Sequence, residues 1–185
     1  MSTFQEFLYQ KRAALLARRE EQERNPPEGP NVLKAHVEAA GRSGVRRIQI
    51  RQFEILSDSG PELAGYSFGP GSPEIQLGVL GSCLTHIFEI QAALLEVPLD
   101  SLEVDITGEI DFRAGKPGFE QIPVFPHNIR YDVKLSSSAS DETIAELHAA
   151  VERACPILNL LLNPQTIEGT VKNIAPVLAG AGVSA

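Results

Sequence analysis

Ser72-Pro73-Glu74-Ile75-Gln76-Leu77-Gly78-Val79-Leu80-Gly81-Ser82-Cys83-Leu84-Thr85-His86-Ile87-Phe88-Glu89-Ile90-Gln91-Ala92-Ala93-Leu94-Leu95 decides how the chain folds. It opens as a helix should, with a hydroxyl at the N-cap, proline at the first helical position and an acid in the first turn. Glu96-Val97-Pro98 stops it, because proline cannot continue a helix. At ~1.5 Å per residue the helix runs about 35 Å. Ile75, Leu77, Val79, Leu80, Leu84, Ile87, Phe88, Ile90 and Leu94 surround nearly its whole circumference. A helix apolar all round is buried. In a chain of 185 residues, that requires cover on every side, with a second subunit as one source.

Outward from this helix, the pattern changes to strands on both sides. Upstream, residues 31–38 and 45–56 read as two strands about the turn Gly41-Arg42-Ser43-Gly44. The apolar phase changes between Ile48/Ile50 and Phe53/Ile55, which predicts a bulge or bend. A Gly-, Pro- and Ser-rich loop spans 57–71. Downstream, 102–112 alternate cleanly, with Leu102, Val104, Ile106, Ile110 and Phe112 on one face and Glu103, Asp105, Thr107, Glu109 and Asp111 on the other. A second alternating strand carries Ile129, Tyr131, Val133 and Leu135. Ser140-Asp141-Glu142 opens a helix striped by Ile144, Leu147, Val151 and Ala154, and Cys155-Pro156 ends it or starts another. Residues 166–174 predict a last strand. Residues 3 to about 24 predict a helix with a thin stripe, Phe4, Phe7, Leu8, Leu15 and Leu16, that needs a partner surface. Asn25-Pro26-Pro27-Glu28-Gly29-Pro30 breaks it. Clustered strands with interposed helices indicate an α+β fold with an antiparallel sheet. The division is an N-terminal helical extension and linker over 1–30 and a main domain over 31–185.

Composition narrows the function classes. With 43% hydrophobic and 22% charged residues the chain can bury a core. A net charge of −8 argues against a general nucleic-acid binder, which needs a basic face for phosphates. No apolar run approaches the roughly 20 residues that span a bilayer, so no membrane partner is expected, and residues 1–24 are too charged for a secretory signal. Cys83 and Cys155 are the two cysteines. Two are too few for a disulfide scaffold, and a reducing, cytoplasmic setting is expected. By position alone they read as buried structural thiols.

Their neighbourhoods carry more. Ser72 through Leu84 resembles the helix of the OsmC/Ohr superfamily (osmotically induced protein C and organic hydroperoxide resistance protein), where a capped buried helix places small residues before a reactive cysteine. Ala154-Cys155-Pro156-Ile157-Leu158-Asn159 resembles that family's second motif, in which Cys-Pro ends a helix. Ala40-Gly41-Arg42-Ser43-Gly44 resembles its Gly-Arg-x-Gly turn, and Asp58 through Gly71 resembles the loop before the helix. The resemblance covers roughly 31–175. Departures are Ile157-Leu158 after Cys-Pro, Ser72 at the cap and the long N-terminal helix, which mark a divergent member.

The resemblance implies an OsmC-like fold, an intertwined homodimer with antiparallel sheets wrapped around long central helices. It implies a peroxidase that reduces hydrophobic organic hydroperoxides, with Cys83 as the peroxidatic thiol, Cys155 as the resolving thiol, an external dithiol as reductant and no cofactor. A thiolate attacks the peroxide, becomes a sulfenic acid and condenses with the second thiol. Burial alone raises a thiol's pKa, so a cation is needed. Arg42 is the candidate, with Arg46, Arg47 and Arg51 as competitors. Glu74 matches the family's arginine-fixing acid, yet nine helical residues, roughly 13 Å, separate it from Cys83. An arginine must bridge them, or a two-fold mate must bring its own Glu74 across. His86, one turn past Cys83, reads as a hydrogen-bonded core histidine rather than a base. Glu89, an acid in an apolar run, needs a partner that the sequence does not name. Four His and two Cys show no metal-site spacing. The alternative function is a non-enzymatic OsmC-like protein binding a small apolar ligand at the dimer interface, and a third reading is a structural module whose first helix docks a partner.

Overall fold

The long helix forms where its end signals place it. In the computed structural model, which describes residues 3–41 and 43–173, it is α2, Ser72–Leu95. Its N-cap is Gly71 rather than Ser72: Glu74 turns back, and its Oε2 accepts the Gly71 amide at 2.6 Å. Glu96, with φ 58°, closes the other end in the left-handed region, and Pro98 follows.

The flanking elements come in the expected order. They are α1 (Phe4–Arg24), β1 (His36–Ala39), β2 (Arg46–Ile50), β3 (Phe53–Ser57), a 3₁₀ turn (Pro61–Leu63), then after α2 β4 (Ser101–Glu109), β5 (His127–Ser136), α3 (Asp141–Ala154) and α4 (Pro156–Leu162). All strand pairings are antiparallel, in a three-stranded sheet β1-β2-β3 and a two-stranded sheet β4-β5.

Three sequence expectations change. The stretch 45–56 is two strands, not one bent strand. Ile50 pairs with Phe53 across a two-residue turn, and Arg51 takes φ 54° with its carbonyl accepting from Gln49 Nε2 at 2.7 Å. A turn without Gly or Asn gave no sequence signal. The first strand is shorter and later than expected, as residues 31–35 are irregular and exposed. Residues 166–173 form no strand, and 174 lies outside the described residues.

The core gathers on one side of α2. Leu80, Leu84, Phe88 and Ala92, at i, i+4 spacing, are at most 1% exposed and meet Leu147 and Val151 of α3, Leu99 and Cys155. Beside them α2 lies on β4, and Leu102, Val104 and Ile106 of β4 with Ile129, Tyr131, Val133 and Leu135 of β5 pack against this core. Close approach requires glycine here: a Cβ on Gly81 would sit 3.1 Å from Ile106 Cγ1. α1 covers a further flank. It starts with a Thr3–Glu6 capping box, buries Leu8 and receives the Leu99 amide on Gln5 Oε1 at 3.0 Å. Full burial of α2 is not found within one chain. Val79 is 44% exposed, and the edge carrying Gly78, Ser82 and His86 is open. The bilayer expectation also needs correcting. α2 is long and apolar enough to cross a membrane by length and composition, with mean hydropathy 1.4 over 18 residues. In this structure its most apolar face packs on the chain's own sheet and helices.

Candidate active site

The Cys-Pro dipeptide builds one side of the site. Proline excludes the α conformation from the preceding residue, so α3 ends at Ala154 and Cys155 is extended at φ −73°, ψ 110°. Pro156 has no N–H to leave unpaired and begins α4. Cys155 is therefore C-cap of one helix and N-cap of the next, and its Sγ accepts the Leu158 amide at 3.5 Å. The other side is α2, which points Cys83 at this junction. The two sulfurs lie 3.5 Å apart, with the Cys155 thiol donating to Cys83 Sγ. Both are free thiols.

The two differ in access. Cys155 is fully buried. Cys83 is partly exposed, at the floor of an open cleft of about 570 Å³ lined by Pro70, Glu74, Ile75, Val79, His86 and Ile157 among others. Burial pushes the Cys83 thiol up, the Ile157 backbone amide draws it down, and the neighbouring Cys155 pushes it up again. The net direction is upward, with burial as the largest cause.

The sequence names Arg42 as the cation for the thiols. Arg42 lies outside the described residues. Its competitors are engaged elsewhere: Arg46 donates to Ser57 Oγ and the Gly44 carbonyl, Arg47 pairs with Glu54 at 2.6 Å, and Arg51 lies over the Phe53 ring. Glu74 lines the cleft while its carboxylate caps α2 at Gly71. Among the described residues, no three His, Cys, Asp or Glu side chains are grouped for a metal.

Sequence reading missed several groups. His86 is no core histidine: its side chain is 60% exposed on the lip of the cleft. The partner of Glu89 is Lys11 of α1, at 2.5 Å, with both side chains largely shielded. The signal existed as an acid in the apolar run of α2 and several cations on a weakly amphipathic helix, but only packing could select Lys11. Behind Cys155, the Tyr131 hydroxyl donates to Glu152 Oε1 at 2.7 Å and meets His148 Nε2 at 2.7 Å. Burial, then Glu152, pushes that phenol's pKa well up. The loop into α2 is tied by Asp58, whose Oδ2 accepts the amides of Tyr66 and Phe68, and these bonds lower its pKa.

Solved structures share this arrangement of elements. An OsmC-like protein from Mycoplasma pneumoniae superposes with a TM-score of 0.61 at 19% identity, over 72% of this chain and 89% of its own. A hypothetical protein from Aquifex aeolicus gives 0.56 at 12% identity, over 72% and 89%. An OsmC-like hydroperoxide resistance protein from Jannaschia gives 0.51 at 19% identity, over 70% and 83%. At these identities the likeness is one of fold. No curated protein matches the chain. The family model of the OsmC-like proteins matches residues 64–169, which takes in α2, both strands of the second sheet, and the Cys155-Pro156 junction, and the chain belongs to that family.

Proposed function

We propose that the chain is a thiol peroxidase for hydrophobic organic hydroperoxides. The observation that carries this reading is the 3.5 Å approach of two free thiols from separate helices, one open to an apolar cleft and the other sealed behind it. The Cys83 thiolate attacks the terminal peroxide oxygen. An S–O bond forms, the O–O bond breaks, and the alkoxide leaves and takes a proton, which yields an alcohol and a Cys83 sulfenic acid. Cys155, already in place, attacks that sulfur. The sulfenic oxygen departs as water with the Cys155 proton, and a disulfide remains. An external dithiol reduces it by two exchanges and restores both thiols. Rapid resolution suits a buried Cys155, because it intercepts the sulfenic acid before further oxidation.

The reading includes a homodimer. The open edge of α2 beside Cys83 is where a second copy would complete the pocket, bringing Arg42 and Glu74 to the thiolate that burial disfavours in one chain. For the peroxide chemistry itself, a structural neighbour lends support: the Jannaschia protein of this fold is an OsmC-like hydroperoxide resistance protein.

Purified protein is expected to consume cumene hydroperoxide with dithiothreitol, one disulfide forming per peroxide in the absence of reductant. Cys83→Ser abolishes turnover, and Cys155→Ser leaves one turnover followed by sulfinic acid, seen by mass spectrometry. Full activity in Cys83→Ser refutes the assignment. The upward direction of the Cys83 pKa and the apolar cleft favour one other reading, a non-enzymatic protein that binds a small apolar ligand. Its sign is an apolar molecule retained on purification together with no peroxide consumption.

A further inference from the structure

The peroxidase reading leaves one chemical need unmet. The departing alkoxide is strongly basic and must be protonated as the O–O bond breaks, yet the cleft is mostly apolar. Apart from Cys83 itself, its ionisable side chains are Glu74 and His86, and the Glu74 carboxylate is held at the cap of α2. His86 stands one turn beyond Cys83 on the same helix. Its Nδ1 is 3.5 Å from Lys11 Nζ and 3.6 Å from Glu89 Oε2, while Lys11 and Glu89 pair at 2.5 Å. Lys11 also lies 4.7 Å over the Phe7 ring, and its side chain is 13% exposed. An ammonium is a donor only. Facing Nδ1, it favours the tautomer with the lone pair on Nδ1 and the proton on Nε2, the nitrogen that has no protein partner among the described residues, on a side chain that lines the cleft.

Resting on the peroxidase reading, the geometry points to His86 as the proton donor to the leaving alkoxide, with Lys11 of the N-terminal helix and Glu89 as positioning residues. As S–O bonding proceeds, the alkoxide oxygen takes the Nε2 proton. Nδ1 takes a proton from the Lys11 ammonium, Lys11 regains from solvent the proton that Cys83 released on ionising, and His86 returns to its Nε2–H tautomer by proton exchange with solvent at the two ring nitrogens before the next turnover. The sum is thiol plus hydroperoxide giving sulfenic acid plus alcohol, with no oxidant or reductant beyond the peroxide. Glu89 holds Lys11 against His86 between turnovers. The N-terminal helix is thereby part of the reacting machinery, which gives α1 a task beyond packing beside Ala92, Ala93 and Val97.

The test uses the full chain and two peroxides that differ in leaving group: cumene hydroperoxide, which expels an alkoxide, and peroxyacetic acid, which expels a weakly basic carboxylate. General-acid help matters only for the first. His86→Gln is expected to lower kcat/KM for cumene hydroperoxide by roughly 10²-fold and for peroxyacetic acid by less than about threefold. Lys11→Met is expected to show the same split at about 10-fold, and iodoacetamide alkylation of Cys83 should proceed normally in both variants, which confirms an intact thiol site. Equal losses with both peroxides, or no loss with cumene hydroperoxide, overturn the role of His86 while the peroxidase stands. A wild-type chain inactive with both peroxides overturns the peroxidase reading and this inference with it.

Discussion

The two sheets make a contrast that explains much of the molecule. Both are antiparallel and both carry alternating apolar residues. In β4–β5 one face is covered by α2 and α3, and every second residue from Leu102 to Ile106 and from Ile129 to Leu135 is at least half-buried. In β1–β2–β3 the apolar residues remain open: Val37 and Phe53 are each 54% exposed, and Ile50, Ile55 and Leu56 are also exposed. Among the described residues no helix packs on that sheet. A sheet with uncovered apolar faces is incomplete by itself. One half of the chain is thus self-sufficient and the other awaits cover, and the open edge of α2 with its Cys83 cleft belongs to the second half.

Stability should follow the same division. Phe88→Ala, in the self-covered half, is expected to cost about 3–5 kcal/mol in urea denaturation, because Phe88 is 1% exposed and stacked on His148. Leu8→Ala is expected to cost about 2–4 kcal/mol and to loosen α1, seen as faster amide exchange across Thr3–Leu16. A loss under about 0.5 kcal/mol would mean that α1 is not docked. On the other sheet, Phe53→Glu is expected to leave the fold of the single chain intact by circular dichroism and to weaken self-association in sedimentation velocity. Unchanged association would show that something other than a second copy covers the sheet.

Smaller effects come from the titrating groups where the halves join. Burial raises the Cys83 pKa in the folded chain, so the folded state holds its proton longer than the unfolded one. The stabilisation is present below the ordinary thiol pKa and is lost as pH rises through the raised folded value. Urea midpoints should therefore fall on the alkaline side, and Cys83→Ser should flatten that slope. If a second copy places Arg42 beside the thiolate, the alkaline slope shrinks as protein concentration rises. Asp58 behaves oppositely. The amides of Phe68, Ser59 and Tyr66 lower its pKa, so its contribution is present above the ordinary carboxylate pKa and is lost as pH falls. Asp58→Asn keeps an acceptor for those amides and should remove only the acid-side slope.

Local chemistry was legible wherever a residue acts on its own neighbours. Pro73, Glu74 and Pro98 bounded α2 to the residue at its C-terminal end, Ser140 capped α3, Cys155-Pro156 broke one helix and began another, and strict alternation found β4 and β5. Errors fell where a signal was weak or non-local. Arg51 takes a left-handed turn without being glycine, so one strand became two. Ile110 and Phe112 continue the alternation of β4 on paper, but the register shift after Thr107 ends the pairing at Glu109. Helical periodicity predicted burial around all of α2, because periodicity reports how apolar a face is and not whether the same chain covers it.

The site divides in the same way. The sequence by itself determined that one thiol sits within a helix and the other at a helix end, that α2 is apolar nearly all round, and that Glu89, an acid in an apolar run, must find a partner, since each of these follows from residue chemistry within a few positions. The tertiary structure alone decided that Cys83 and Cys155, 72 residues apart, meet at 3.5 Å, that Glu89 takes Lys11 from α1 rather than an arginine, and that His86 faces the cleft instead of the core. Those outcomes depend on how α1, α2 and α3 cross. The crossing is set by side-chain volumes summed over the whole interface, a quantity no single stretch of sequence contains.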